Sequence, residues 1–188
     1  MSRHVESVLL ADGDLTVEAW TVHHVASIAP WLEAGHEWKR WDAPYLPAPT
    51  HQQRAALVTA LTADTWQRDP RSDRPMRLPV CLDGTAVGTL SWHWEDPVSG
   101  WARVGIVLHD PSGWGAGTGT RALRLWSAWL AAQPDVHRLD LATWGGHAAM
   151  LAVARRCGFT DEVRLTGARL VDGVRHDAVV MARPAQPT

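Results

Sequence analysis

A strand that runs into closely spaced glycines and straight on into a helix constrains this chain more than any other feature. Residues 101–108 read as the strand, ending in Ile106, Val107 and Leu108. After His109-Asp110-Pro111-Ser112-Gly113 come Trp114, Gly115, Ala116, Gly117, Thr118, Gly119 and Thr120, and a helix begins near Gly119. Glycines let the backbone turn several N–H groups toward one point with no Cβ in the way. The start of a helix adds unpaired donors and the positive end of its dipole. Together these make a site for phosphate or pyrophosphate.

Particular residues exclude two familiar phosphate loops. A P-loop needs Gly-Lys-Ser/Thr at its end, and the only lysine of the chain is Lys39. A dinucleotide fingerprint needs a third glycine where this chain has Thr120, counting from Gly115, or Thr118, counting from Gly113. A glycine-rich turn without a ligand stays open on these residues alone.

The flanking segments define the class. Residues 15–20 read as a strand entered through the Asp12-Gly13 turn. Residues 22–34 carry Val25, Ile28, Trp31 and Leu32 at helical spacing. A Pro-containing loop, 35–50, leads to a helix over 52–66 with Ala56, Leu57, Ala60 and Leu61 on one face. A turn-rich connector, 69–75, follows, then strands over 78–82 and 87–94 around Asp83-Gly84. The helix after the glycine loop, 119–132, places Ala122, Leu125, Trp126 and Trp129 on one face. Residues 138–143 read as a strand, and 148–157 as a helix stopped by Gly158. Residues 163–171 and 174–181 form a hairpin around Asp172-Gly173. Three consecutive strands before the glycine loop argue against a doubly wound fold. The expectation is an α/β (α+β) chain with a mixed, largely antiparallel central sheet of about seven strands flanked by helices. Residues 1–183 are expected to form one domain, and 184–188 a frayed tail.

Charge and composition narrow the partners. The net charge is −2 with no basic stripe, which argues against nucleic acid as a direct partner. No apolar run is long enough to span a bilayer, and no export signal is visible at the N-terminus, so a cytoplasmic protein without membrane contact is expected. Cys81 and Cys157 are far apart and read as reduced thiols. His23-His24 reads as a solvated pair, and no metal site is expected.

The glycine loop resembles the coenzyme A pyrophosphate loop of GNAT acetyltransferases, Q/R-x-x-G-x-G/A, as Trp114-Gly115-Ala116-Gly117-Thr118-Gly119. Trp114 at the Q/R position, and Thr120-Arg121-Ala122-Leu123 after it, are similar to the RimJ/RimL-like branch. The likeness continues through His137-Arg138-Leu139, Thr143-Trp144-Gly145-Gly146-His147, Ala154-Arg155-Arg156-Cys157-Gly158-Phe159 and the C-terminal hairpin with Asp177 and Met181. It also takes in the segment from His36 to Tyr45. The resemblance implies a GNAT fold whose fourth and fifth strands splay apart, with acetyl-CoA as acyl donor and no metal. It implies that Ile106, Val107 and Leu108 pair with the pantetheine arm, and that Trp114, Gly115, Ala116, Gly117, Thr118, Gly119 and Thr120 hold the pyrophosphate. His147 stands where similar proteins have an Asn touching that arm. The expected acceptor is a primary amine, a small molecule or a protein N-terminus, and a homodimer is compatible with the family.

Acetyl transfer needs a neutral amine, a stabilised oxyanion and a proton for the leaving thiolate. Many relatives carry a Tyr for that last step where this chain has Ala154. Arg103 stands where relatives often have Glu. Glu95 is the first candidate base, with a solvated strand-end carboxylate as its plain alternative, and His93 is the second candidate. Glu37, Trp38, Asp42 and Tyr45 lie in the loop that borders the acceptor pocket in this superfamily. Acidic groups there would attract an ammonium; a Trp- and Pro-anchored loop with solvated charges is the alternative. A coenzyme-binding protein with little or no transfer is the alternative function.

Overall fold

The computed structural model describes residues 8–63 and 68–185. Eight strands form one sheet in the order β1-β2-β3-β4-β5-β6-β8-β7. They are β1 (Val8–Asp12), β2 (Leu15–Glu18), β3 (Arg77–Leu82), β4 (Thr85–Asp96), β5 (Trp101–Leu108), β6 (Arg138–Trp144), β7 (Thr160–Val171) and β8 (Val174–Pro184). All neighbouring pairs are antiparallel except β5 with β6. Four α-helices accompany them: α1 (Val22–Ile28), α2 (His51–Thr62), α3 (Thr118–Ala131) and α4 (Ala148–Arg156).

Strand alternation and one apolar helix face build the core. Leu15 and Val17 of β2 are buried on the same face as Leu90 and Trp92 of β4 and Val104 of β5. Against them α3 lays Ala122, Leu123, Trp126 and Leu130, all fully buried, while Leu125 and Trp129 lie only partly covered. The indole N–H of Trp126 donates to the Ser91 carbonyl at 3.0 Å, so α3 is keyed to the middle of β4. Removing that indole would cost about 3–5 kcal/mol.

The expected elements are present with changed edges. The sheet has an eighth strand, β1, because the Asp12-Gly13 turn closes a hairpin rather than merely admitting β2. Helix α1 stops at Ile28 and passes into a 3₁₀ turn over Ala29–Leu32, since Pro30 has no N–H to continue the α pattern. A capping box between Thr50 and Gln53 starts α2, which ends at Thr62; its expected continuation to Trp66 lies outside the described residues. Of its expected apolar face only Leu61 is buried, so α2 is loosely held. Strand β8 runs to Pro184, one residue into the segment expected to be a tail.

The expectation for His23-His24 needs correction. His24 is buried, its Nδ1 lies 3.1 Å from the Ala19 carbonyl, and its Nε2 faces Glu18 at 3.5 Å. Cys81 completes a group whose ligand-type atoms lie within 4.8 Å of one another. Burial and the neighbouring Glu18 push the Cys81 thiol up to about 12, so it stays protonated and packs with Trp20, Val25 and Ile28.

Candidate active site

The parallel pairing of β5 with β6 runs only from Trp101 to Arg103, opposite Arg138 to Asp140. Beyond that rung the strands part. β6 keeps its partner β8 through Trp144, while β5 presents Val104 to Leu108 along an open edge. The last paired rung is clamped. Arg103 makes two hydrogen bonds, 2.7 and 2.8 Å, to the fully buried carboxylate of Asp140. That bidentate geometry is strong and directional. Arg103 therefore acts as a brace at the crotch of the fork.

The fork opens into a cleft of about 1100 Å³. One end is the glycine loop. Gly115 and Gly117 have φ of +78° and +84°, conformations that side chains resist, and Gly117 caps α3 with no side chain covering its first turn. The amides that open α3 are thus left for a ligand. The Trp114 indole N–H donates to the Leu108 carbonyl at 3.2 Å and pins the loop to the end of β5. Ile106, Val107, Leu108, Trp114, Gly115, Gly117, Thr118, Gly119 and Thr120 all line the cleft; Ala116 does not. Arg156 of α4 borders the same end.

The other end is roofed by the segment from Glu37 to Tyr45. Glu37, Trp38, Asp42 and Tyr45 line the cleft, as does His147. The Trp38 indole is nearly buried; it donates to the Trp31 carbonyl at 2.7 Å and meets the His109 ring edge-on at 4.5 Å. Trp41 stacks on His147 at 5.7 Å, and its carbonyl accepts from the Trp144 indole at 3.1 Å. Asp42 pairs with Lys39 at 3.6 Å, and the Arg169 guanidinium lies over the Tyr45 ring at 4.6 Å. Burial lowers the His147 imidazole, opposed by the negative charge of Asp42. His109 is pushed down to about 3 by burial and by the charges of Arg77 and Lys39. Both rings are therefore held neutral.

The candidate bases Glu95 and His93 do not line the cleft. Glu95 lies 2.8 Å from the Arg103 guanidinium and 3.0 Å from His93 Nε2, near the end of β4. Strand alternation puts both on one face of β4. Thr89 and Ser91 share that face by strand alternation, and both line the cleft, along with Arg77 and His109. Cross-strand register brings these four together, and a single sequence does not display it. The one available signal was the period of two running inward from Glu95.

A forked mixed sheet with an uncapped helix start at the open end is the architecture of the GNAT fold. The sequence profile of the acetyltransferase (GNAT) domain matches residues 14–160, and the chain belongs to that family, the GNAT acetyltransferases. Among solved structures it is similar to RimL, a ribosomal L7/L12 alpha-N-protein acetyltransferase in complex with coenzyme A, at 21% identity and TM-score 0.73, covering 94% of this chain and 97% of that one. It is similar to the microcin C7 self-immunity acetyltransferase MccE bound to acetyl-CoA and AMP, at 16% identity and TM-score 0.71, covering 95% and 97%. A GNAT-family acetyltransferase from Bacillus anthracis aligns at 12% identity and TM-score 0.73, covering 95% and 99%. No curated protein matches in sequence. Among the described residues, no helix is long and apolar enough to cross a membrane.

Proposed function

We propose that the protein transfers the acetyl group of acetyl-CoA to a primary amine. One observation carries this reading: the open edge of β5 and the uncapped start of α3 meet in a single cleft. The pantetheine amides add to the Val104–Leu108 edge as an extra strand would. The amides at Gly115, Gly117 and the first turn of α3 take the pyrophosphate, with Arg156 adding charge. The acyl carbon then lies at the inner end of the fork, beside Gly105 and Ser91. The amine enters beneath the roof loop, where Asp42 and Glu37 attract its ammonium form.

The chain's own residues set the proton balance. With Glu95 engaged by Arg103 and both cleft histidines neutral, no strong base stands at the inner end among the described residues. A lysine-like amine would need roughly 4–5 kcal/mol to lose its proton at pH 7, an α-amine only roughly 1–1.5 kcal/mol. Acceptors of low pKa therefore suit this site. The neutral amine nitrogen attacks the thioester carbonyl and forms the C–N bond, the C–S bond breaks, the nitrogen gives up its extra proton to water, and the coenzyme thiolate takes a proton from solvent, because Ala154 stands where many relatives have tyrosine. The activity of RimL on a ribosomal protein N-terminus makes an α-amine on a protein one acceptor class; a small-molecule amine is the other. Two buried free thiols, Cys81 and Cys157, support a cytoplasmic setting. Ala154 and the Arg103–Glu95 pair support a second reading, a coenzyme-binding protein without efficient transfer. A thermal-shift titration with acetyl-CoA, followed by thiol release over a panel of amines, tests both. Stabilisation with amine-dependent release is expected; stabilisation without release on any amine favours the second reading.

A further inference from the structure

We propose that the chain holds a zinc ion between Glu18, His24 and Cys81, beneath α1 and apart from the coenzyme cleft. The fold gathers the three from separate stretches. Glu18 ends β2, and the chain turns back through Thr21, which caps α1, so that His24 returns over the strand just completed. Cys81 of β3 stands opposite Thr16 of β2, and Thr16 and Glu18 share a face by strand alternation. One imidazole nitrogen, one carboxylate oxygen and one sulfur then lie within 4.8 Å of one another. None of the three residues lines the cleft.

The placement of His24 calls for a cation. Its ring is buried with both nitrogens facing acceptors: Nδ1 meets the Ala19 carbonyl at 3.1 Å, and Nε2 meets the Glu18 carboxylate at 3.5 Å. A carbonyl oxygen only accepts, so Nδ1 carries the ring proton. The Nε2 lone pair of the neutral ring then faces a carboxylate inside the protein, which costs free energy unless a positive charge lies between them. A second ring proton would draw the pair into a charge-assisted hydrogen bond of about 2.7–2.9 Å, and 3.5 Å is too long for one. That separation instead matches the roughly 3.4 Å between two ligands of one tetrahedral zinc, each about 2.0–2.2 Å from the ion. The outer contacts also suit a metal. The Ala19 carbonyl fixes the His24 tautomer, and the Thr16 hydroxyl donates to Glu18 Oε1 at 2.5 Å, which leaves Oε2 for the ion. Trp20, Val25, Ile28 and Ala86 supply an apolar surround. Mixed nitrogen, sulfur and oxygen donors select zinc over magnesium or calcium. By itself the buried Cys81 thiol keeps its proton; a bound dication takes the thiolate, and the proton goes to water. Glu18, with 13% of its side chain exposed, marks the way in. A zinc ion here pins α1 to β2 and β3, and α1 leads into the turn whose Trp31 carbonyl holds Trp38 of the roof.

The test uses the full chain, stripped with a chelator under reducing conditions and refolded with Zn²⁺ or Co²⁺ so that a buried site can load. Zinc affinity is read against a chromophoric chelator, and the cobalt form by its absorption spectrum. One equivalent of zinc with a Kd of roughly 1 μM or tighter, a thiolate-to-cobalt charge-transfer band and a Tm that rises with zinc concentration are expected. Cys81→Ala should abolish the band and weaken zinc binding roughly hundredfold or more. Thr16→Val keeps all three ligands and should weaken it roughly 10–100-fold. His23→Gln, at the exposed neighbouring histidine, should change neither reading. If Cys81→Ala fails to fold, the wild-type cobalt spectrum and Thr16→Val decide. Absence of stoichiometric binding after refolding in zinc, a cobalt spectrum without the sulfur band, or equal zinc affinity in Thr16→Val and Cys81→Ala as in the wild type would each overturn the proposal.

Discussion

The indole N–H of Trp144 donates to the carbonyl of Trp41 at 3.1 Å, tying one arm of the β5/β6 fork to the loop that roofs it. The ring also fills the space beside Gly146, where an added Cβ would fall within 1.8 Å of it. Trp144→Phe keeps most of the packing and removes the hydrogen bond. The expected loss is about 0.5–1.5 kcal/mol, read as a lower unfolding midpoint and an acceptor KM raised roughly two- to tenfold. An unchanged KM would mean that the roof does not shape the acceptor pocket.

Gly117 and Gly119 should respond differently to the same methyl group. Gly117 has φ +84°, so Gly117→Ala strains the turn that aims the amides; a stability loss of about 1 kcal/mol and weaker acetyl-CoA binding are expected. At Gly119 an added Cβ would meet Leu108 and Val153 at 3.7 and 3.9 Å, ordinary contacts, so Gly119→Ala should leave stability and affinity nearly unchanged. Denaturant unfolding and calorimetry with acetyl-CoA separate the two.

Glu95→Gln should change kcat/KM by less than about twofold, because its half-buried carboxylate is engaged by Arg103 and does not line the cleft. A large drop in kcat, shrinking as pH rises, would restore Glu95 as a base.

His109 gives the fold a pH dependence. Its folded-state value lies near 3, against 6.5 in the unfolded chain, so between those limits the unfolded chain holds the extra proton. Stability is fully present above pH 6.5 and falls as pH drops through this window, by at most roughly 1.4 kcal/mol per unit. Urea unfolding at pH 7 and pH 5 should show this slope, flattened in His109→Gln. Identical slopes in the two proteins would contradict the burial argument.

The glycine end of the cleft was legible in sequence because it depends on residues that chemistry restricts. Only glycine adopts the Gly115 and Gly117 conformations without strain, and a helix start announces its own free amides. The helices and the C-terminal hairpin were readable from period and turn residues. Strand β1 was missed because Asp12-Gly13 reads equally as an entry turn and as a hairpin turn. The acceptor floor was not readable at all. Arg77, Ser91 and Gly105 become neighbours through register alone, and nothing in the composition of β3 or β4 fixes which residue faces which. Arg103 was read as a missing base; its partner Asp140 lies 37 positions away and shows the residue to be a brace.

The most direct test of the account is a coupled assay on the purified protein, in which coenzyme A thiol release and the N-acetyl product are quantified together over peptides and small amines, with binding of acetyl-CoA measured alongside. The account predicts saturable acetyl-CoA binding, weakened by Gly117→Ala, and thiol release that requires an amine and equals the N-acetyl product formed. Binding without any acetylated amine would contradict the transferase reading, and no binding of acetyl-CoA would contradict the assignment of the cleft itself.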